Sequence, residues 1–298
     1  MSTTQLSPPA AAHPGSSMLA GIGVTLLSTL VFSISNALAK KLMQGYPFGE
    51  TVFARSLTAM VLLAPLIRRD HLRGLLRDGQ WRLHLLRCAC SAVEVCCYYW
   101  AITASQLADI TTIYMAGPIY VTALSAIFLR EKVGWRRWAA VLVGFLGVLL
   151  ALRPGGSVDR HALVAVFGSL LYATSLTAVR RLRETPNFVL VITQVAALNL
   201  VSLATIPFGW RVPGPFDALG LAMVGVISTA GYILVTRGLQ LAPASVVAPF
   251  GYASILFAVV LGYLVFGDVP GPSTMLGAAI IVGAGLFIVF REHVRRQA

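Results

Sequence analysis

Charge is what this sequence has least of. Only 11% of its 298 residues are Asp, Glu, Lys or Arg, whereas a soluble domain carries roughly 25%. Hydrophobic residues make up 57% and mean hydropathy is +0.79. A soluble globular domain is excluded, and the composition is that of a polytopic membrane protein. The net charge of +12 would suit nucleic acid, but the basic residues sit in short segments between apolar runs. There they set membrane orientation, so the lipid bilayer is the expected partner and nucleic acid is not. Cysteine is scarce as well: Cys88, Cys90, Cys96 and Cys97 all fall in one run. Neighbours on a rigid helix point about 100° apart and cannot be bridged. No histidine stands near them at zinc spacing, so no metal is expected. The sequence has no G-x4-G-K-[ST] phosphate loop, and the segments between runs are too short for a nucleotide-binding domain. Neither ATP-driven pumping nor a cofactor is expected. Acid, base and metal-binding groups do not converge at one depth, which argues against an enzyme.

What is abundant is uninterrupted apolar sequence. Ten runs approach the roughly 20 residues needed to cross a bilayer: 18–39, 49–67, 84–105, 107–129, 135–152, 161–182, 187–207, 217–239, 243–266 and 272–290. Residues 1–17 are polar, Pro-rich and free of Lys and Arg, and read as a disordered cytoplasmic tail; residues 291–298 read as a basic one. Arg68, Arg69, Arg73, Arg77, Arg82 and eleven further Lys or Arg fall on the side of the N-terminus, against Lys40, Lys41, Arg153, Arg160 and Arg211 opposite. That asymmetry predicts that both termini are cytoplasmic.

The chain also repeats itself. YYWAITASQLA (Tyr98 to Ala108) and YILVTRGLQLA (Tyr232 to Ala242) share Tyr, Gln, Leu and Ala at a constant offset of 134. FLREKV (Phe128 to Val133) parallels VFGDVP (Val265 to Pro270), Ala140-x3-Gly144 on span 5 parallels Ala279-x3-Gly283 on span 10, and the repeats are expected over 18–155 and 156–290. Five spans per repeat is an odd number, so the second repeat must lie inverted. The expected fold is therefore all-α and integral to the membrane, with ten transmembrane helices as two inverted five-helix repeats around a central cavity. In such transporters the substrate site lies near the midplane, where the repeats meet.

Two stretches carry a family resemblance. LADITTIYMAGPIYVTALSAIFLREKVGWRRWAAVLVGFLGVLLALRPG (Leu107 to Gly155) and LAPASVVAPFGYASILFAVVLGYLVFGDVP (Leu241 to Pro270) resemble the EamA family of the drug/metabolite transporter superfamily. The resemblance runs over about residues 18–290; Asp268 stands where the family often has Glu. It implies a ten-helix basket around a cavity and movement of small metabolites by alternating access. The cargoes it implies include neutral and aromatic amino acids, as in the YddG-type exporter branch, and also nucleobases, riboflavin and S-adenosylmethionine.

An unpaired charge at mid-bilayer costs several kcal/mol, so Glu94, central in span 3, needs an explanation. Residues three, four and seven apart share a helical face. That rule gathers Arg87, Cys90, Ser91, Glu94, Cys97 and Tyr98 into one stripe, matched on span 8 by Gly225, Ser228, Thr229 and Tyr232. Asn36, Tyr172 and Gln194 offer further polar groups on spans 1, 6 and 7; individual Ser and Thr more often serve close helix packing. Glu94 has several roles open to it: an ion pair with Arg87 or Arg55, a protonated carboxyl, a contact to a substrate ammonium, or a proton carrier. Gly117-Pro118 on span 4 and Pro249 with Gly251 on span 9 interrupt corresponding spans, flanked by Tyr114 and Tyr252, and are candidate hinges. One central carboxylate with few cations disfavours phosphorylated cargo, which would want an Arg or Lys clamp. Hydroxyls, amides and aromatic faces suit a neutral or zwitterionic metabolite, and an amino acid above all. A channel or a non-transporting scaffold is the rival reading, and either a monomer or a homodimer is compatible with the small-residue faces.

Overall fold

The computed structural model describes residues 14–66, 80–128, 134–152, 160–182, 185–205, 207, 209–241 and 248–297. Among these lie eleven α-helices: α1 (Pro14–Leu42), α2 (Phe48–Leu63), α3 (Trp81–Ala104), α4 (Leu107–Tyr114), α5 (Gly117–Phe128), α6 (Trp135–Ala151), α7 (Arg160–Arg181), α8 (Asn187–Leu203), α9 (Pro215–Leu241), α10 (Ala253–Phe266) and α11 (Pro272–Gln297). With α4 and α5 as two pieces of one span, these are the ten expected spans. Residues 1–13 of the expected N-terminal tail, the boundary at 156–159, and Arg68, Arg69, Arg73, Arg77, Arg130, Lys132, Arg153 and Arg183 lie outside the described residues. Helix α1 starts at Pro14, inside the expected tail, and α11 continues through the expected C-terminal one to Gln297.

Five segments are long and apolar enough to cross a membrane: Met18–Leu42, Trp81–Ala104, Leu107–Phe128, Arg160–Val179 and Pro215–Val235. Other apolar helices are shorter. Leucines and phenylalanines such as Leu142, Phe145, Leu146 and Phe167 stay exposed on the outer faces, as lipid contact demands. Trp81, Trp135, Trp138 and Trp210, expected as interfacial anchors, are all exposed. Trp100 stacks on His161 at the start of α7, with ring centroids 4.4 Å apart.

The helices pair by a simple exchange rule. Helix α1 lies along α9, and its counterpart α7 lies along α3. The α2–α9 contact returns as α8–α3, and α1–α10 returns as α7 against α4 and α5. Three pairs map onto themselves: α2–α8, α4–α10 and α6–α11. Swapping the first five spans for the second five therefore reproduces these principal contacts, as two inverted repeats about one pseudo-two-fold axis require. The most extensive of these contacts join one half to the other, not helices of one half.

The α6–α11 pair explains the small residues of spans 5 and 10. A Cβ on Gly277 would lie 2.7 Å from the Gly147 carbonyl oxygen, and one on Gly147 would lie 3.0 Å from the Gly277 carbonyl. Backbone therefore rests on backbone within one chain. Gly144 is closed off by Ile119 and Ala284. The Ala279-x3-Gly283 motif faces outward instead: Ala279 is exposed, and a Cβ on Gly283 would have nothing within 4 Å.

Both expected interruptions are present. Span 4 breaks at a turn over Met115 and Ala116, and Pro118 enters the first turn of α5, where a missing N–H forfeits no intrahelical bond. Among the described residues of span 9, a 3-10 turn, Ala248–Tyr252, which contains Pro249 and Gly251, precedes α10. At the far end of α10, Gly267 adopts φ +72° and closes the helix, its N–H donating to the Tyr263 carbonyl at 2.9 Å. This turn presents Asp268 to Lys40 at the end of α1, an ion pair of 3.0 Å. Lys40 also donates to the Ser105 carbonyl at 2.9 Å and lies 4.6 Å from the Phe266 ring centroid. One ammonium thus fastens α1, the end of α3 and the α10–α11 connection together.

Replacing Gly277 with Leu would force α6 and α11 apart. The expected cost is about 1–3 kcal/mol, visible as a lower melting temperature of the purified protein in detergent. Gly283→Leu should leave that temperature within error; equal losses for the two variants would contradict the backbone contact.

Candidate functional site

Hydroxyls on apolar helices are satisfied mainly by carbonyls, and most of those read in the stripes serve this purpose. Ser28 and Ser35 donate to the carbonyls of Gly231 and Val224, joining α1 to α9. Thr25, Thr29, Ser169 and Thr229 bond carbonyls of their own helices. Ser175 donates across to the Arg87 carbonyl at 3.4 Å. These residues hold helices together and leave a smaller set of polar groups facing inward.

That set centres on Glu94. Its side chain is 8% exposed, and its carboxylate makes no ion pair among the described residues. Helix α3 is fixed beside it by Tyr114, whose hydroxyl donates to the Glu94 carbonyl at 3.0 Å. Tyr114 itself fits against Gly168, where any Cβ would collide with the phenol oxygen. Aromatic rings continue from there. Tyr98 meets Tyr114 edge-on at 4.9 Å, and Tyr172 lies 6.4 Å from Tyr114. Tyr232 meets Phe32 edge-on at 6.1 Å. Glu94 lies within electrostatic reach of Tyr98, Tyr114, Tyr172 and Tyr232. Tyr98, Tyr172 and Tyr232 are only half-buried although helices surround them, so they line an internal space.

Two hydrogen-bond chains frame this space. On one, Asn36 Nδ2 donates to the Tyr98 hydroxyl at 3.1 Å, and that hydroxyl is 3.4 Å from Thr111 Oγ1. On the other, Tyr232 donates to Gln194 Oε1 at 3.0 Å, and Arg87 Nη1 approaches the same oxygen at 3.5 Å. One chain joins spans 1, 3 and 4 and the other joins spans 3, 7 and 8.

An ion pair with Arg87 was one of the roles the sequence left open for Glu94, and the structure does not form it. The Arg87 side chain is buried and turned to α8, where Nη2 donates to Thr193 Oγ1 at 2.7 Å and to the Leu190 carbonyl at 3.1 Å. The guanidinium reaches across to the neighbouring helix rather than up its own. Arg55 is the cation near Glu94 instead. It stands two turns into α2, held by Tyr99 Oη at 2.9 Å and Ser228 Oγ at 3.2 Å. Ser228 therefore contributes as a support for Arg55.

Tyr252 is not brought to this cluster. It is buried against Gly285 on α11, where a Cβ would collide with its hydroxyl. The remaining candidates, Glu94, Tyr98, Tyr114, Asn36, Tyr172, Gln194, Ser228 and Tyr232, lie in or beside it. Gly117 adjoins it, since a Cβ there would sit 3.2 Å from the Tyr172 ring. The backbone of Pro249 and Gly251 belongs to the 3-10 turn ahead of α10. Phe32, Thr111 and Thr193 were not singled out from sequence. An aromatic or threonine on an apolar helix gives no signal distinct from ordinary packing.

Tyr98→Phe removes the hydroxyl shared by Asn36 and Thr111. A loss of about 1 kcal/mol is expected, read as a small drop in melting temperature, with Asn36→Ala adding little further in the double variant because both changes break the same bond.

Residues 19–153 and 160–290 each match the EamA-like transporter family. The chain is 30% identical over 270 residues to a riboflavin transporter of Vibrio cholerae, covering 88% of this chain and 90% of that one. It is equally 30% identical to the pseudopaline exporter CntI of Pseudomonas aeruginosa, covering 89% and 94%. An S-adenosylmethionine uptake transporter of Rickettsia felis shares 25% identity, covering 92% and 94%. A crystal structure with 21% sequence identity superposes at a TM-score of 0.61, covering 94% of this chain and 99% of that one, and shares the fold. Both halves of the chain carry the family's signature, and they do so over the helices that build the central cluster. The protein belongs to the EamA-like transporter family of multi-pass membrane proteins.

Proposed function

We propose that this protein moves neutral and aromatic amino acids across a bacterial inner membrane, as an exporter working by alternating access. One observation carries the reading: Glu94, a buried carboxylate without an ion-pair partner among the described residues, lies within electrostatic reach of the four phenols of Tyr98, Tyr114, Tyr172 and Tyr232. A carboxylate attracts an ammonium, and phenol rings hold apolar and aromatic side chains while adding cation–π attraction. The amide and hydroxyl groups of Asn36, Gln194 and Thr111 suit the remaining polar atoms of a small metabolite. The names of the relatives favour a second reading, in which the cargo is a larger ring-bearing metabolite such as riboflavin or the cation S-adenosylmethionine.

Alternating access assigns roles to other features. Both termini are cytoplasmic on the distribution of Arg and Lys. The Lys40–Asp268 bond then lies at the outer end and must open when the site faces outward. The breaks at Gly117-Pro118 and at Pro249 with Gly251 allow spans 4 and 9 to bend as the two halves rock. The α6–α11 contact keeps its small residues within one chain, so one chain holds a complete path; a homodimer would join such paths side by side.

Counterflow in proteoliposomes tests the cargo. Vesicles loaded with unlabelled phenylalanine should accumulate labelled phenylalanine, with saturation, and the same vesicles loaded with riboflavin should not. Accumulation driven by riboflavin alone would reject the amino-acid reading for the second one. Glu94→Gln should lower kcat/KM for phenylalanine roughly ten- to hundredfold, the equivalent of one charge-assisted contact. Pro118→Ala should slow exchange and shift the balance of inward- and outward-accessible labelling; an unchanged rate and labelling pattern would remove the hinge.

A further inference from the structure

Arg55 is the one charged group of the central cluster that the functional reading leaves unused. It is the one cation of α2, and a half-buried one. A charge at that depth is costly unless something uses it. Its hydrogen-bond partners are both neutral. Nη1 donates to Tyr99 Oη at 2.9 Å and Nε donates to Ser228 Oγ at 3.2 Å. The guanidinium carbon lies 5.3 Å from the Tyr99 ring centroid. Neither Tyr99 nor Ser228 neutralises it.

The supports are themselves fixed. Ser228 donates to the Gly225 carbonyl at 3.1 Å, which leaves its oxygen oriented to accept from Arg55. Gly225 lets α9 approach α2 so closely that a Cβ there would lie 2.8 Å from the Arg55 carbonyl oxygen. Tyr99 comes from α3 and is 1% exposed. Three helices from both halves thus immobilise one guanidinium, with bonds engaging Nη1 and Nε only. The Nη2 edge makes none among the described residues.

Glu94 is the buried carboxylate of the same cluster. It is within electrostatic reach of Arg55, yet the two make no ion pair, whereas Lys40 and Asp268 close to 3.0 Å. Arg87, on α3, is committed to α8 through Thr193, Leu190 and Gln194 and does not compete for Glu94. Opposite charges in a medium of low dielectric attract strongly. Arg55 is held by neutral oxygens, and α3 is held by the Tyr114 bond to the Glu94 carbonyl.

We propose that Arg55 and Glu94 are a separated charge pair that reads the two ends of an α-amino-acid head group: Glu94 receives the ammonium and Arg55 the carboxylate. Arg55 is then a specificity-determining residue for this cargo. A zwitterion inserted between the two charges satisfies both, while the site as a whole stays neutral. An amine that lacks the carboxylate leaves Arg55 buried without an anion, and an acid that lacks the amine leaves Glu94 without a cation. Discrimination of this type is large because the rejected ligand strands a buried charge. A neutral ring compound without such a head group gains nothing from either residue. This inference rests on the amino-acid reading above and adds the requirement for both ends of the head group.

The test compares ligands within each variant, so that a reduced folded fraction cancels. L-phenylalanine, L-phenylalaninamide and 3-phenylpropionate are titrated against purified full-length protein, with affinity taken from intrinsic fluorescence or thermal shift. The wild-type protein should prefer phenylalanine to both analogues by at least about tenfold, the equivalent of one charged contact. Arg55→Gln should abolish the preference over the amide and keep the preference over 3-phenylpropionate. Glu94→Gln should do the reverse. Arg55→Lys, which keeps the charge, should restore part of the preference over the amide. If the wild type binds phenylalanine selectively but Arg55→Gln keeps the same phenylalanine-to-amide ratio, the Arg55 assignment falls and the amino-acid reading stands. If the wild type binds none of the three, both fall together.

Discussion

No water reaches the hydrocarbon core of a bilayer to satisfy a stray polar group, and the arrangement of this chain follows from that constraint. The apolar outer faces give lipid nothing polar to solvate. Many of the hydroxyls and amides on the helices are turned inward and divided between two tasks. Serines and threonines such as Ser28, Ser35 and Ser175 spend their hydrogen bonds on carbonyls of facing helices and so set the distance between them. Asn36 bonds Tyr98 and Tyr232 bonds Gln194 around the central space. The same chemical groups act as mortar in one place and as lining in the other, according to whether a backbone or another side chain takes the proton.

Charge follows the same division. Lys40 and Asp268 neutralise each other where three elements meet at one end of the bundle. Arg87 is dissolved in neutral oxygens of α8 and ties that helix to α3. Arg55 is held in the same way by Tyr99 and Ser228, and Glu94 has no ion-pair partner among the described residues. A transporter that recognises cargo by a few convergent groups in a mostly apolar pocket keeps those groups unsatisfied until the cargo arrives.

The number of spans, the inversion and the two interruptions were legible in the sequence, because each is written in local properties: length of an apolar run, an odd repeat count, a proline. Glu94 and the tyrosines Tyr98, Tyr172 and Tyr232 were legible too, since helical spacing fixes which residues share a face. What spacing does not fix is the neighbour. Arg87 shares a face with Glu94 but is long enough to reach α8, and its donors go there. Tyr252 flanks a break just as Tyr114 does, yet it fills the notch left by Gly285 and not the central space. Ala279 and Gly283 mimic the span-5 motif, while the residue that touches the partner backbone is Gly277, out of register with the pattern. Both small faces of α11 look alike in one dimension. The facing helix decides between them.

The exchange of contacts between halves bears on how the polypeptide coheres. Helix α1 finds its long partner in α9, and α3 finds its own in α7, so each half is a set of fingers without a palm until the other is threaded through it. A chain nicked in the connection between α6 and α7 would keep almost all of its tertiary contacts. Either fragment alone would present its most adhesive surfaces to lipid. Cohesion in this molecule belongs to the interlocking of the two halves far more than to the peptide bond that joins them.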